Sequence, residues 1–272
     1  MPASRSPRRD PRSLSPGPAA RSRYWPMILI GVAAVLAAIV ATLPASIIAR
    51  FLPPGIVAEE FSGSVWHGSA GKIRVTGRDA GALEWWLHPA SLLGMALSAD
   101  LHWVKVGFVI DAAVKVDRHG FTAHDIKGGG PIEDLRDLGV AAGWRGIAEI
   151  HLSRLQGDFA SPYSAAGDLK VSNLTGAQFA DGANLGGYLL QIPEASPGTD
   201  GSASGQITDT GGPLEAQISL HYTAQDRTLI LSGTLRERAE APPALRSQLQ
   251  NLAQYRGRDP QGRIPVDLEF TL

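Results

Sequence analysis

Residues 214–235 read LEAQISLHYTAQDRTLILSGTL, two runs in which apolar and polar side chains alternate on either side of a short polar link. Alternation at 180° per residue, bounded by turn-forming residues, is the pattern of half-buried antiparallel strands. The same period recurs in Lys72–Gly77 (KIRVTG), Leu97–Trp103 (LSADLHW), Val109–Val116 (VIDAAVKV) and Gly146–Leu155 (GIAEIHLSRL). It returns in Ala166–Leu174 (AGDLKVSNL) and Ile264–Leu272 (IPVDLEFTL). No long helical period intervenes, which argues against parallel βαβ architecture. The predicted fold class is mainly β: a twisted antiparallel β-rich domain over residues 50–272 with a few short helices. One curved sheet and two packed sheets both satisfy this pattern.

Three segments interrupt the alternation. Pro89–Gly94 (PASLLG) reads as a single turn. Pro131–Leu138 (PIEDLRDL) carries proline at its first position and acids in its first turn, a helix start signal. Pro242–Tyr255 places Leu245, Leu249 and Leu252 at i, i+4 and i+7, with Gly257 as the stop. Glycine is frequent, 31 of 272 residues, and clusters at Gly128–Gly130, Gly186–Gly187 and Gly211–Gly212. Those clusters predict turns, bulges and close backbone approach rather than a phosphate cradle. The stretch 193–205 is polar and reads as a loop inside one domain.

Ahead of the β region, residues 24–49 (YWPMILIGVAAVLAAIVATLPASIIA) hold no charged side chain between Arg23 and Arg50. A bilayer core about 30 Å thick takes roughly 20 apolar helical residues, so the segment is predicted to be a transmembrane anchor helix. It is longer than the apolar region of a cleaved signal peptide. Pro44, near its exit, is placed to kink or end it. Residues 1–23 carry Arg5, Arg8, Arg9, Arg12, Arg21 and Arg23 against the single acid Asp10. Such a tail reads as disordered and cytoplasmic, which puts the β domain on the far side of the membrane.

Few residues suggest chemistry. Cysteine is absent, excluding thiolate catalysis and thiolate metal sites. The seven histidines show no metal-binding spacing. Ser69 lacks the flanking glycines of a nucleophile elbow, since position 67 is histidine. Pairs such as Glu59/Glu60 and Glu133/Asp134 read as solvated faces. No P-loop or dinucleotide-binding fingerprint occurs, and the chain beyond its tail is acidic, disfavouring nucleic acid. The expectation is a protein without catalytic, cofactor-binding or metal-binding residues.

The aromatic and glycine motifs carry more. Gly63-Ser-Val-Trp-His-Gly68, with Val65 and Trp66 at its centre, resembles the G-T-V-W-x-G signature of the type II secretion system protein N family, serine replacing threonine. Leu83-x-Trp85 and Leu87-x-Pro89, followed by Leu92 and Leu93, resemble its second block. Leu185-Gly186-x-Tyr188 and Asp209-x-Gly-Gly212-Pro213-Leu214 resemble later blocks, and Leu235-Arg236 with Asp259-x-x-Gly-Arg263 its C-terminal end. The Leu43-Pro-Ala45 that closes the apolar segment also matches. The resemblance implies an inner-membrane protein with a periplasmic domain, accessory to the export of folded proteins across the outer membrane. Its implied partners are other type II secretion subunits, secreted proteins and the inner membrane. It supplies no catalytic residues, and the motif positions read as structural.

A second reading is a periplasmic lipid-handling protein with a long hydrophobic β-groove. Burial separates the two: an open apolar groove favours lipid, whereas a closed, filled core favours an interaction module. A third reading, an envelope hydrolase, requires a cleft with converging acids or a serine–histidine pair.

Overall fold

The computed structural model describes residues 25–158, 162–177, 182–194, 202–223, 225–226 and 228–271. The basic tail and residues 195–201 lie outside them; residues 202–205, expected to be part of a loop over 193–205, instead open a strand. The chain forms two units, Met1–Thr42 and Leu43–Leu272.

The first unit holds helix α1 (Trp25–Ala41). Ile30, Val32, Val35, Ile39 and Val40 are exposed along it. Thr42 Oγ1 donates back to the Ala38 carbonyl. Pro44, which has no N–H and restricts the residue before it, prevents continuation. The 17 residues of α1 rise about 26 Å, short of a hydrocarbon core of about 30 Å. Among the described residues no helix is long and apolar enough to cross a membrane. The predicted helix over 24–49 is therefore not continuous. Its last residues instead begin a 3₁₀ helix, Ala45–Phe51, that belongs to the second unit.

The second unit is one sheet of thirteen strands in sequence order, each antiparallel to its neighbours. These are β1 (Ile56–Gly63), β2 (His67–Val75), β3 (Arg78–His88), β4 (Leu97–Lys105), β5 (Phe108–Asp117), β6 (Gly120–Pro131) and β7 (Trp144–Gly157). They continue as β8 (Pro162–Gly176), β9 (Asn184–Ile192), β10 (Ser202–Gly211), β11 (Leu214–Thr223), β12 (Thr228–Glu237) and β13 (Ile264–Thr271). One sheet, not two, satisfies the pattern. Open sheets rarely pass about ten strands without curling, and the register shifts in β2–β3, β5–β6, β7–β8, β8–β9 and β9–β10 supply the bulges that bend strands.

Register decides the faces. Trp85 pairs with Leu101, Leu101 with Ala112, Ile126 with Leu152, Ile207 with Ile218, and Leu231 with Leu268. One face is thus apolar from β3 to β13. The other carries Glu84 opposite His102, His102 opposite Asp111, Lys127 opposite His151 and His151 opposite Asp168. Cross-strand pairs of basic and acidic side chains on this face, such as His102 with Asp111 and Lys170 with Glu149, add modest stability at a solvated surface.

Three short helical elements cover parts of the apolar face. The 3₁₀ helix Ala45–Phe51 contributes Ala45 and Ile48 to a cluster with Ala70 and Trp85. A second 3₁₀ helix, Ile132–Leu138, adds Ile132 and Leu135 to a cluster around Phe108 and Ala148. Helix α2 (Pro243–Arg256) buries Leu245 and Leu249 with Leu185, Ala241 and Ile264. Leu252, expected on that face, is exposed, and Ala253 packs there instead. Counted from Leu249, Ala253 is the i+4 position, about 40° round the helix, whereas Leu252 is the i+3 position, about 60° to the other side.

Lys105 is buried beside the β4–β5 turn. Its Nζ donates to the Asp79 carbonyl and, at 3.1 Å, to Asp137 Oδ2, tying the second 3₁₀ helix to the sheet.

Candidate functional site

The first two motif blocks meet in space. Gly63 turns the chain out of β1 with φ +78, and a Cβ there would lie 2.4 Å from the His67 carbonyl oxygen. The Ser64 N–H donates to that carbonyl at 2.8 Å, and the His67 N–H donates to Ser64 Oγ at 3.1 Å. This closed loop presents the carbonyls of Val65 and Trp66 outward. Val65 accepts the indole N–H of Trp85 at 2.9 Å, and Trp66 accepts the Leu87 N–H at 2.7 Å. A Cβ on Gly68 would approach the Trp85 ring at 2.8 Å, so glycine there leaves room for the indole beside the turn. The Val65 N–H donates to the Leu43 carbonyl and Pro44 bridges to Ser64, which fixes the incoming chain to the same loop. Pro89 opens the 3₁₀ helix Pro89–Gly94, in the predicted position.

The result is a pocket. The 3₁₀ helix Ala45–Phe51, the Val65–Trp66 turn and strands β1–β5 enclose about 480 Å³, and every residue lining it is apolar. Its floor includes Leu83, Trp85, Leu87, Leu101 and Val114. The volume falls within the roughly 300–1,000 Å³ of small-molecule sites, but no polar group is present to orient a reaction. Ile48, which the sequence reading placed in the membrane helix, is part of its wall.

The later blocks build a second constellation. Gly186 (φ +98) on β9 and Gly212 (φ +122) beyond β10 touch directly. A Cβ on Gly212 would lie 2.5 Å from the Gly186 Cα. Tyr188 donates its hydroxyl to the Leu185 carbonyl at 2.9 Å. Burial, assisted by nearby Asp209 and opposed by Arg238, pushes its pKa up to about 12. Asp209 receives Arg238 Nη2 at 2.5 Å and the Ala216 N–H at 3.2 Å. Arg238 also donates to the Gly212 carbonyl at 2.9 Å, and its own N–H to that of Pro213. The hydrogen bond to Asp209 raises the Arg238 pKa further. Leu214 packs on the cluster under α2. The Asp209-x-Gly-Gly-Pro-Leu block is therefore a corner pinned by Arg238. Sequence reading missed Arg238, because a lone arginine beyond a strand carries no spacing signal.

In the C-terminal block Asp259 accepts the Arg263 N–H at 2.8 Å and Nε at 2.7 Å, closing the turn into β13. Partial burial works against the Asp259 carboxylate, but the Arg263 bonds outweigh it and lower its pKa. Histidines pair with acids on the polar face, His102 with Asp111 at 2.6 Å and His88 with Asp100 at 3.0 Å. Among the described residues no three metal-ligating side chains gather. The motif residues thus hold two structural corners and one apolar pocket.

Beyond the three covered clusters the apolar face stays open, with Leu97, Leu268 and Phe270 exposed upon it. The face is covered in part, neither a groove open along its whole length nor a closed core. A sequence model described as type II secretion system (T2SS), protein N matches residues 54–267, from the start of β1 into β13. No curated protein and no solved structure matches the chain significantly.

Proposed function

This chain belongs to the type II secretion system protein N family and so takes part in type II secretion; from that premise we propose that it is an accessory inner-membrane component of the apparatus, a structural and interaction subunit. The observation that carries this reading is the match over residues 54–267, which takes in all but the last residues of the sheet. The uncharged stretch ahead of Pro44, which includes α1, supports an anchor in this reading, with the basic tail in the cytoplasm and the β domain in the periplasm. Exposed apolar side chains along α1 suit lipid or a partner helix better than water.

The sheet has two edges, β1 and β13, each hydrogen-bonded on one side only among the described residues. An edge strand offers backbone donors and acceptors to an added strand, so these edges are the proposed contacts for other secretion subunits or for secreted proteins. Tethering in the membrane plane would raise the effective concentration for partners held in the same plane. The test is a deletion strain assayed for exoprotein secretion, combined with cross-linking of the chain in intact envelopes. Loss of secretion and recovery of other secretion subunits is the expected result. Unchanged secretion with none recovered would overturn the proposal.

A further inference from the structure

We propose that the apolar pocket under the 3₁₀ helix Ala45–Phe51 binds an acyl chain of an anionic lipid, with Arg50 at the head group. The inference goes beyond the secretion role and does not depend on it. Two features lead to an alkyl ligand. Every lining residue is apolar, so an extended peptide would bury backbone N–H and C=O groups with nothing on the wall to receive them. An α-helix is about 10 Å across, so the cavity would take only about one turn of it. An alkyl chain has neither requirement.

The pocket also continues. Leu97 and Val116 in its wall belong to the same face as Phe121 on β6, the register partner of Val116. Ala123 pairs with Leu155, and Leu220 with Leu231, further along that face. A chain longer than the pocket can therefore run on over apolar surface rather than into water.

Charge selects the head group. The segment 45–52 walls one side, and Arg50 is its only charged residue, exposed between Ile48 and Phe51. Arg50 does not line the pocket itself but sits exposed in the same short helix as the lining residues Ile48 and Phe51, from where its long side chain complements a phosphate or carboxylate on the ligand. Charged residues of the lining strands, such as Glu84 and Lys115, alternate to the opposite face.

The test uses the full chain mixed with phosphatidylcholine vesicles carrying a small share of phosphatidylglycerol with a diazirine in its acyl tail. Photolysis and peptide mapping should place adducts on Leu87, Leu101 or Val114. Ala99→Phe, which fills the pocket, should abolish them while circular dichroism is unchanged. Arg50→Glu, an exposed change, should lower labelling by about fivefold for phosphatidylglycerol and leave a diazirine phosphatidylcholine probe unaffected. Adducts spread equally over Glu84 and Lys115, undiminished adducts in Ala99→Phe, or Arg50→Glu reducing both probes alike would overturn the proposal. Secretion assays fail or succeed separately from this result.

Discussion

Trp85 gives its indole N–H to the carbonyl of Val65, 20 residues earlier in the chain, across 2.9 Å. Trp85 is 5% exposed and stands in the floor of the apolar pocket. The bond explains why two separated motifs behave as one: the first is the turn, and the second is the ring that the turn holds.

Trp85→Phe keeps most of the packing but leaves the Val65 carbonyl without its partner. Loss of a buried hydrogen bond, added to the smaller ring, should cost about 2–3 kcal/mol. Gly68→Ala should cost a similar amount, since its Cβ would stand 2.5 Å from the Ser64 oxygen and 2.8 Å from the indole. Urea unfolding of each variant checks this; stabilities within 0.5 kcal/mol (roughly the scatter of surface changes) would refute the clamp.

Lys105 and Asp137 should respond unequally. Lys105 is 3% exposed whereas the Asp137 side chain is 58% exposed. Asp137→Ala strands a buried ammonium with only the Asp79 carbonyl, at a cost of about 2–4 kcal/mol. Lys105→Met leaves a carboxylate that water can solvate and should cost about 1–2 kcal/mol. Thermal melts of the two variants measure the order, and the reverse order would remove the argument.

Acid should weaken the C-terminal lock. The hydrogen bond from Arg258 holds the Glu237 pKa below its ordinary 4.5, more than offsetting burial. A depressed carboxylate stabilises the fold above pH 4.5, and that contribution is lost as pH falls through the folded-state value. Melting temperature against pH between 6 and 3 should therefore fall less steeply in Glu237→Gln than in the parent chain.

Alkali should act on Tyr188. Its pKa, raised from 10.0 to about 12 by burial, means that the unfolded chain loses the phenolic proton first. The stabilising contribution is complete below pH 10 and disappears as pH rises towards 12. Tyr188→Phe should remove this component of the alkaline stability loss, as read from guanidinium midpoints at pH 9 and pH 11.

The paired glycines offer a contrast. Gly186→Ala would put a Cβ 2.1 Å from the Gly211 carbonyl, at φ +98, whereas Gly211 has open space around it at φ +126. Gly186→Ala should cost at least about 2 kcal/mol more than Gly211→Ala, since only the first adds a clash to backbone strain. Comparing the two by urea midpoint checks the crossing directly.

Several strands were legible because their side chains alternate: β4, β5, β7, β8 and β11 contain the runs that predict them, β12 and β13 cover all the described residues of theirs, and Lys72–Gly77 catches only the end of β2 and the turn after it. β6, β9 and β10 were not, since Gly128–Gly130, Gly186–Gly187 and Gly205 blank out the apolar positions through which periodicity speaks. β1 was hidden because Glu60, at φ +59, breaks the alternation between Ala58 and Phe61. The 3₁₀ helix Ala45–Phe51 was read as membrane span because Ala45-Ser-Ile-Ile48 is as apolar as the helix before it. Hydropathy reports what avoids water; it does not say whether lipid or a sheet provides the cover.

Local pattern by itself therefore determined the class of fold, the three short helical interruptions and the ordered motifs that identify the family. Only the tertiary structure decided that the strands make a single open sheet, that Val65 holds Trp85, that Arg238 pins the corner at Asp209, and that a pocket opens beneath Ile48. The reason is range. Alternation and capping act between neighbours in sequence, whereas register across 13 strands and the seating of one indole on a distant carbonyl are set by contacts between residues that the chain keeps far apart.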